Sequence, residues 1–206
     1  MPRRTRSEMI EETRAKLVAA ARQAFGAQGY ANTSMDDFTA AAGLTRGALY
    51  HHFGDKRGLL AAVVEQIDEE TDARLQAASD AAPDAWEGFR NRCRAYLYMA
   101  QEPEMRRIVL QDARAVLGGA SPVSQQFCVT SMAELLATLM DKGVVRQADP
   151  AALARLVYGA LAEGAFWVAE SDGDPDGGHA RLRATLDALD ALLAGMLAGP
   201  QRPAAG

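Results

Sequence analysis

The chain is poor in the residues that usually carry out chemistry. It has three histidines and two cysteines among 206 residues. Cys93 and Cys128 are far apart and sit inside apolar helical patterns, so they are expected as reduced core residues rather than a disulfide. There is no Cys-x-x-Cys pair, no Gly-x-Ser-x-Gly elbow, no phosphate-cradling glycine loop and no His-Glu-x-x-His. Without a catalytic constellation, the expectation is a protein that is not an enzyme and that holds neither metal nor cofactor. Asp172, Asp174 and Asp176 begin like a calcium loop, but Arg183 stands where that loop needs Glu. A flexible acidic loop over 171–178 is expected instead. No run approaches the roughly 18 apolar residues of a membrane span. The basic start, MPRRTRSE, has no apolar segment after it, so no signal peptide is expected and the chain is placed in the cytoplasm.

Strand signals are also missing. No stretch alternates with period two, and no Asn-Gly or Asp-Gly turn joins strand-like runs. What is present is helical periodicity, which predicts an all-α fold of about nine helices. The first runs from about Ser7 to Ala27, with Ile10, Leu17, Ala21, Ala24 and Phe25 on one side, and Gly29 ends it. Two short helices follow, and a long fourth starts near Asp55 with Leu60, Val63, Val64 and Ile67 in a stripe. Pro83, Pro103, Ser121-Pro122 and Asp149-Pro150 open the next four, proline being well placed in a first helical turn. A ninth is expected over about 179–198. The implied domains are an N-terminal unit of short helices over 1–54, a helical body over 55–199 and a disordered tail over 200–206.

The net charge of −5 is unevenly spread. Residues 1–60 hold nine Lys/Arg and six Asp/Glu, a net of +3, and the remainder holds 13 against 21, a net of −8. A basic head on an acidic body suits contact with a polyanion at one end.

The head carries the sharpest pattern, TSMDDFTAAAGLTRGALYHHFGDK over 33–56. Ser34 and Asp37 are spaced as a capping box for a short helix. Gly43 ends it where a left-handed residue is needed. Leu44 is expected to pack inward, and Thr45 is a suitable N-cap for a second helix from Arg46. Helix, glycine turn, helix is the layout whose second member enters the major groove.

This stretch resembles the DNA-binding segment of TetR/AcrR-type transcriptional regulators. The matching pieces are Thr33-Ser34-Met35, Ala42-Gly43-Leu44, Gly47, Leu49-Tyr50, His52-Phe53 and Asp55-Lys56. Phe38 stands where a smaller aliphatic residue is commoner. The resemblance covers about the first quarter of the chain. It implies a ligand-responsive DNA-binding regulator, commonly a repressor, that binds a near-palindromic operator as a homodimer and is released by a small-molecule effector. A dimeric ligand-binding helical protein without DNA recognition is the alternative.

Residue by residue, Arg46 opens the second short helix and is the candidate for reading guanine edges. Gly47 allows close approach. Tyr50 and His51 share the face of Arg46 and Gly47 by the i, i+4 rule. Thr33, Thr45 and Lys56 flank the helix as candidate phosphate contacts. Adjacent histidines on a helix diverge by about 100°, so His51 and His52 make no chelating pair, and His52 is read as a packing or capping residue. Arg3, Arg4 and Arg6 form a basic arm that either reaches a groove or is merely solvated.

In the body, an effector site between helices would be mostly apolar. Candidate lining residues are Trp86, Phe89, Tyr96 and Met99 of the fifth helix and Met105 of the sixth. Phe127 and Met132 of the seventh and Phe166 and Trp167 of the eighth complete the apolar set. Asp112 falls on the sixth helix's apolar stripe and needs a partner. It is either a structural bond to a neighbouring helix or arginine, or the anchor for an effector's polar group. Glu163 carries the same ambiguity. The eighth helix is apolar nearly all round, which predicts burial on all sides. Leu153, Val157, Leu161 and Val168, with Leu186, Leu189 and Leu193 of the ninth, are therefore the candidate dimer interface.

Overall fold

The computed structural model describes residues 5–43, 45–170 and 175–199. Among these the chain is almost wholly helical. In order, α1 is Arg6–Gln28, a short 3₁₀ turn is Tyr30–Asn32, α2 is Met35–Ala42, α3 is Arg46–Phe53 and α4 is Lys56–Asp80. Then come α5 (Ala85–Met99), α6 (103–117), α7 (Pro122–Asp141), α8 (Pro150–Ala169) and α9 (Pro175–Ala194). Within α6, Met105–Ala113 is wound as a π-helix and only Arg114–Leu117 returns to α geometry.

The chain packs as two compact units. The first comprises residues 1–70 and 103–120, the second 71–102 and 121–206. The first unit therefore takes in more than the stretch 1–54 expected from the sequence, including the π-helical segment.

In the first unit the helix ends are set by local chemistry. Thr5 and Glu8 form a reciprocal capping box at α1, and Ser34 and Asp37 form another at α2. Gly43 (φ +64°) closes α2 in the left-handed region. Thr45 Oγ1 accepts from the Ala48 N–H at the start of α3, and Asp55 Oδ1 accepts from the Gly58 N–H at the start of α4. Leu17, Phe25, Phe38, Leu49, Leu59, Leu60 and Val63 are fully buried and make the core. The Phe25 and Phe38 rings meet edge to face, with centroids 5.2 Å apart. Phe53 is half-buried, with the Arg14 guanidinium 5.8 Å from its ring. Ile10, expected on α1's inner stripe, is exposed, and the fully covered residues of α1 begin at Leu17. Leu44 lies outside the described residues.

In the second unit α7 packs on α8, α8 on α9, and α5 on α7, α8 and α9. By length and composition α8 could cross a membrane, contrary to the expectation that no segment approaches this. Here it instead buries Ala154, Val157, Leu161, Ala165 and Val168 against its neighbours. The end of α9 is pinned by Arg146 N–H to Met196 O and by Ala198 N–H to Val144 O, each 2.9 Å. Residues 171–174 of the expected acidic loop lie outside the described residues. The stretch 175–178 is the first turn of α9, which starts earlier than its apolar pattern indicates.

The expected dimer residues require a correction. Val157, Leu161, Val168, Leu186, Leu189 and Leu193 are all buried within the single chain, and Leu153 is half-buried. The six buried residues belong to the intrachain core of the second unit, whereas Leu153 keeps part of its surface exposed. The apolar residues that α8 and α9 leave exposed include Leu156, Gly159, Ala160, Trp167, Ala188 and Leu192. Glu163 is exposed too and needs no partner.

Candidate nucleic-acid interface

One face of α3 is left uncovered by the first unit. Leu49 points inward and is fully buried, which anchors the helix. Thr45, Arg46, Gly47, Tyr50 and His51 are exposed, Tyr50 at 49%. One i, i+4 step joins Arg46 to Tyr50 and another joins Gly47 to His51, so the four side-chain positions form one contiguous patch. Gly47 keeps that patch low, with only Thr45 Oγ1 (3.9 Å) near a Cβ placed there. Tyr50 leaves about half of its surface in solvent, and Arg46 stands at a helix start, where the dipole disfavours cations. The arrangement suits a polyanion with hydrogen-bonding edges, which duplex DNA supplies in its major groove.

The Arg46 side chain is held from α2. Its Nε lies 2.7 Å from Asp36 Oδ1, with both side chains more than 60% exposed. The sequence reading missed Asp36. Its acidic position in α2's first turn is explained by the helix dipole alone, which masks a second role.

The two flanking candidates behave differently from the expectation. Thr33 is buried, at 6% exposure, and its hydroxyl donates to Tyr30 O at 3.0 Å. Its side chain is thus committed to the turn and is not offered to phosphate. Lys56 is half-buried; Nζ donates to Thr33 O at 2.5 Å and sits 4.2 Å from the centre of the Tyr30 ring. Burial lowers the Lys56 ammonium from its ordinary pKa, opposed by the Asp112 and Asp37 carboxylates. One of its three N–H groups is used by the protein. Arg3 and Arg4 lie outside the described residues, and Arg6 opens α1.

The body candidates divide between the units. Phe89, Met99 and Met132 are buried in the second, where the Trp86 ring stacks on Phe89 with centroids 6.1 Å apart. Tyr96 and Phe166 are half-buried. Phe127 (60%) and Trp167 (44%) are on the surface of the chain, so neither lines an interior site. Met105 and Asp112 belong to the first unit. Asp112 is not free to anchor an effector, because its Oδ2 accepts the Tyr30 N–H at 2.7 Å and faces Arg107 Nε at 3.6 Å. The structural bond left open by the sequence is the one observed. Burial pushes the Cys93 thiol up to about 12, which keeps it protonated and inert.

Comparisons with known proteins match the chain to two family models, and the second spans residues 103–120, which pack with the first unit. Residues 17–63 fit the model for bacterial regulatory proteins of the tetR family, and residues 86–196 fit that of the tetracyclin repressor-like C-terminal domain. A TetR-family transcriptional regulator from Pectobacterium atrosepticum shares 65% identity over 96% of this chain and all of its own, with a TM-score of 0.87. The HTH-type transcriptional regulator TtgR of Pseudomonas putida is 41% identical over 78 residues, 38% of this chain and 37% of TtgR. The Tn10 TetC protein of Escherichia coli is 25% identical over 154 residues, 74% of this chain and 78% of its own. The chain thus spans little more than a third of the first of these curated relatives.

Proposed function

Since the chain belongs to the TetR family of bacterial regulatory proteins, we propose that it is a cytoplasmic, ligand-responsive transcriptional regulator, acting as a repressor. It binds a near-palindromic duplex as a homodimer and lets go when a small apolar molecule occupies the second unit. The observation that carries this reading is the exposed face of Arg46, Gly47, Tyr50 and His51 on a helix whose other side, through Leu49, is locked into the core.

Each part of that face has a role. Arg46 donates in parallel to guanine O6 and N7, Tyr50 covers a thymine methyl and bonds a phosphate, and His51 donates beside it. Thr45 and Lys56 position the helix on the backbone. Two heads on a two-fold axis read half-sites about 34–36 Å apart or a multiple of this. The dimer forms through the exposed apolar strip of α8 and α9, centred on Leu156 and Leu192, since the buried leucines are already used. The effector acts by preferring the state that cannot span the two half-sites, and its differential affinity sets the size of the response.

The test is selection of duplexes from a random-sequence pool by the full-length chain. Enrichment of a near-palindrome supports the reading, and a pool that stays random after repeated rounds overturns it. A panel of small apolar molecules, followed by thermal shift and by release of that duplex, then identifies the effector.

A further inference from the structure

The π-helical winding of Met105–Ala113 has a specific geometric consequence. In an α-helix, residues five apart diverge by about 140°. In a π-helix, whose bonds join residues five apart, they share a face. Arg107 and Asp112 are five apart, and Arg107 Nε lies 3.6 Å from Asp112 Oδ2. This pair faces the junction between α1 and α2. Arg107 Nη2 donates to Gln28 O at 3.4 Å, and Asp112 Oδ2 accepts from the Tyr30 N–H at 2.7 Å. A cation thus covers the last carbonyls of α1, and an anion covers the first N–H of the following turn, each at the helix end its charge suits. Gly29 between them has φ +79°, which L side chains rarely adopt, and a Cβ there would also displace the Arg107 guanidinium.

The junction then hands its position onward. Tyr30 O accepts the Thr33 hydroxyl, and Lys56 Nζ donates to Thr33 O while lying over the Tyr30 ring. Thr33 precedes the N-cap of α2, and Lys56 opens α4. The segment is tied in once more at its start, where Arg22 bonds both Glu104 and Glu70. Arg107 Nε is buried and donates no hydrogen bond, so this pair is under-satisfied and is a weak point of the clasp.

We propose that the π-helical stretch is a latch on the DNA-binding unit. Asp112, brought beside Arg107 by π winding, is a positioning residue for the operator-backbone contact of Lys56. Rewinding the stretch to α geometry turns one of the two side chains away and frees the junction. The inference rests on the operator-binding reading above. Both ends of the segment continue covalently into the second unit, at residues 102 and 121.

The test uses the full-length chain and a fluorescein-labelled duplex that the wild type has selected from a random pool. Affinity is measured by anisotropy over a salt series, with amide hydrogen exchange followed at residues 30–33. D112A is expected to weaken binding roughly tenfold. It is also expected to lower the salt slope by about one per protomer and to speed exchange of the Tyr30 amide. D112N keeps an acceptor oxygen and is expected to restore most of the affinity. Simple removal of an acidic charge near DNA predicts the reverse, tighter binding and equal behaviour of D112A and D112N, and that result overturns the latch. Should D112A not fold, R107M empties the Gln28 contact while leaving Asp112 in place. The same losses are expected there, and wild-type affinity and slope in R107M overturn the proposal. If the wild type enriches no sequence, the operator reading and the latch fall together. If it does, and D112A binds as wild type, the latch alone falls.

Discussion

Arg46 and Asp36 form an ion pair between the two short helices of the head, Nε to Oδ1 at 2.7 Å. The pair is exposed on both sides, so its contribution to stability is small, below about 1 kcal/mol. On the proposed operator reading its effect falls on recognition, because the carboxylate holds the guanidinium assigned to base edges and repels phosphate from the same spot. D36A is therefore expected to melt like wild type, bind random duplex more tightly and lose discrimination for the selected sequence. Competition titrations with unlabelled random DNA check this, and an unchanged discrimination ratio would show the pair to be incidental.

Asp37 gives the head a defined response to acid. Its carboxylate accepts from both the N–H and the hydroxyl of Ser34, and these bonds hold it below its ordinary 3.8. A folded value lower than the unfolded one means the cap's contribution is complete above about pH 4. It is lost as the pH falls through the depressed folded value. The melting difference between wild type and D37A is expected to be constant from neutral pH down to about 4 and to shrink below it. A difference that stays level into strong acid would contradict the assignment.

Gly58 joins α3 to α4 at close quarters. A Cβ there would meet the Phe53 carbonyl oxygen at 2.0 Å, and backbone cannot swing aside. G58A is expected to destabilise the protein by roughly 1–3 kcal/mol. A thermal melt matching wild type would show that the two helix ends have room to part.

The leucines of α8 and α9 separate into two behaviours. L161A opens a hole in the intrachain core and is expected to cost about 2–5 kcal/mol. L156D and L192D sit on the exposed strip and are expected to leave folding intact while shifting the chain from dimer to monomer. Sedimentation over a concentration series decides, and a wild-type chain that is monomeric throughout would refute the interface.

The head was legible because its signals are local. Ser34 with Asp37, Gly43 and Thr45 each act on backbone within three residues, and each cap stands where the spacing puts it. Helical periodicity located the nine helices among the described residues for the same reason. It also misled, since an apolar stripe reports burial but not against what. Val157, Leu161 and Leu189 read as a dimer seam, yet their own chain covers them. The π winding of α6 was illegible, because periodicity arguments assume 3.6 residues per turn. With that assumption Arg107 and Asp112 fall on different faces. Asp112 then looks like a lone acid on an apolar stripe, when its partner is a backbone N–H 82 residues away.

The most direct measurement is the affinity ratio between the selected duplex and a scrambled duplex, for wild type and for R46A, at one fixed salt concentration. The wild-type ratio is expected to be about a thousand or more. R46A is expected to lose at least about tenfold of that ratio with its melting temperature unchanged. An R46A protein that keeps the full ratio would contradict the claim that this exposed helix face reads the sequence.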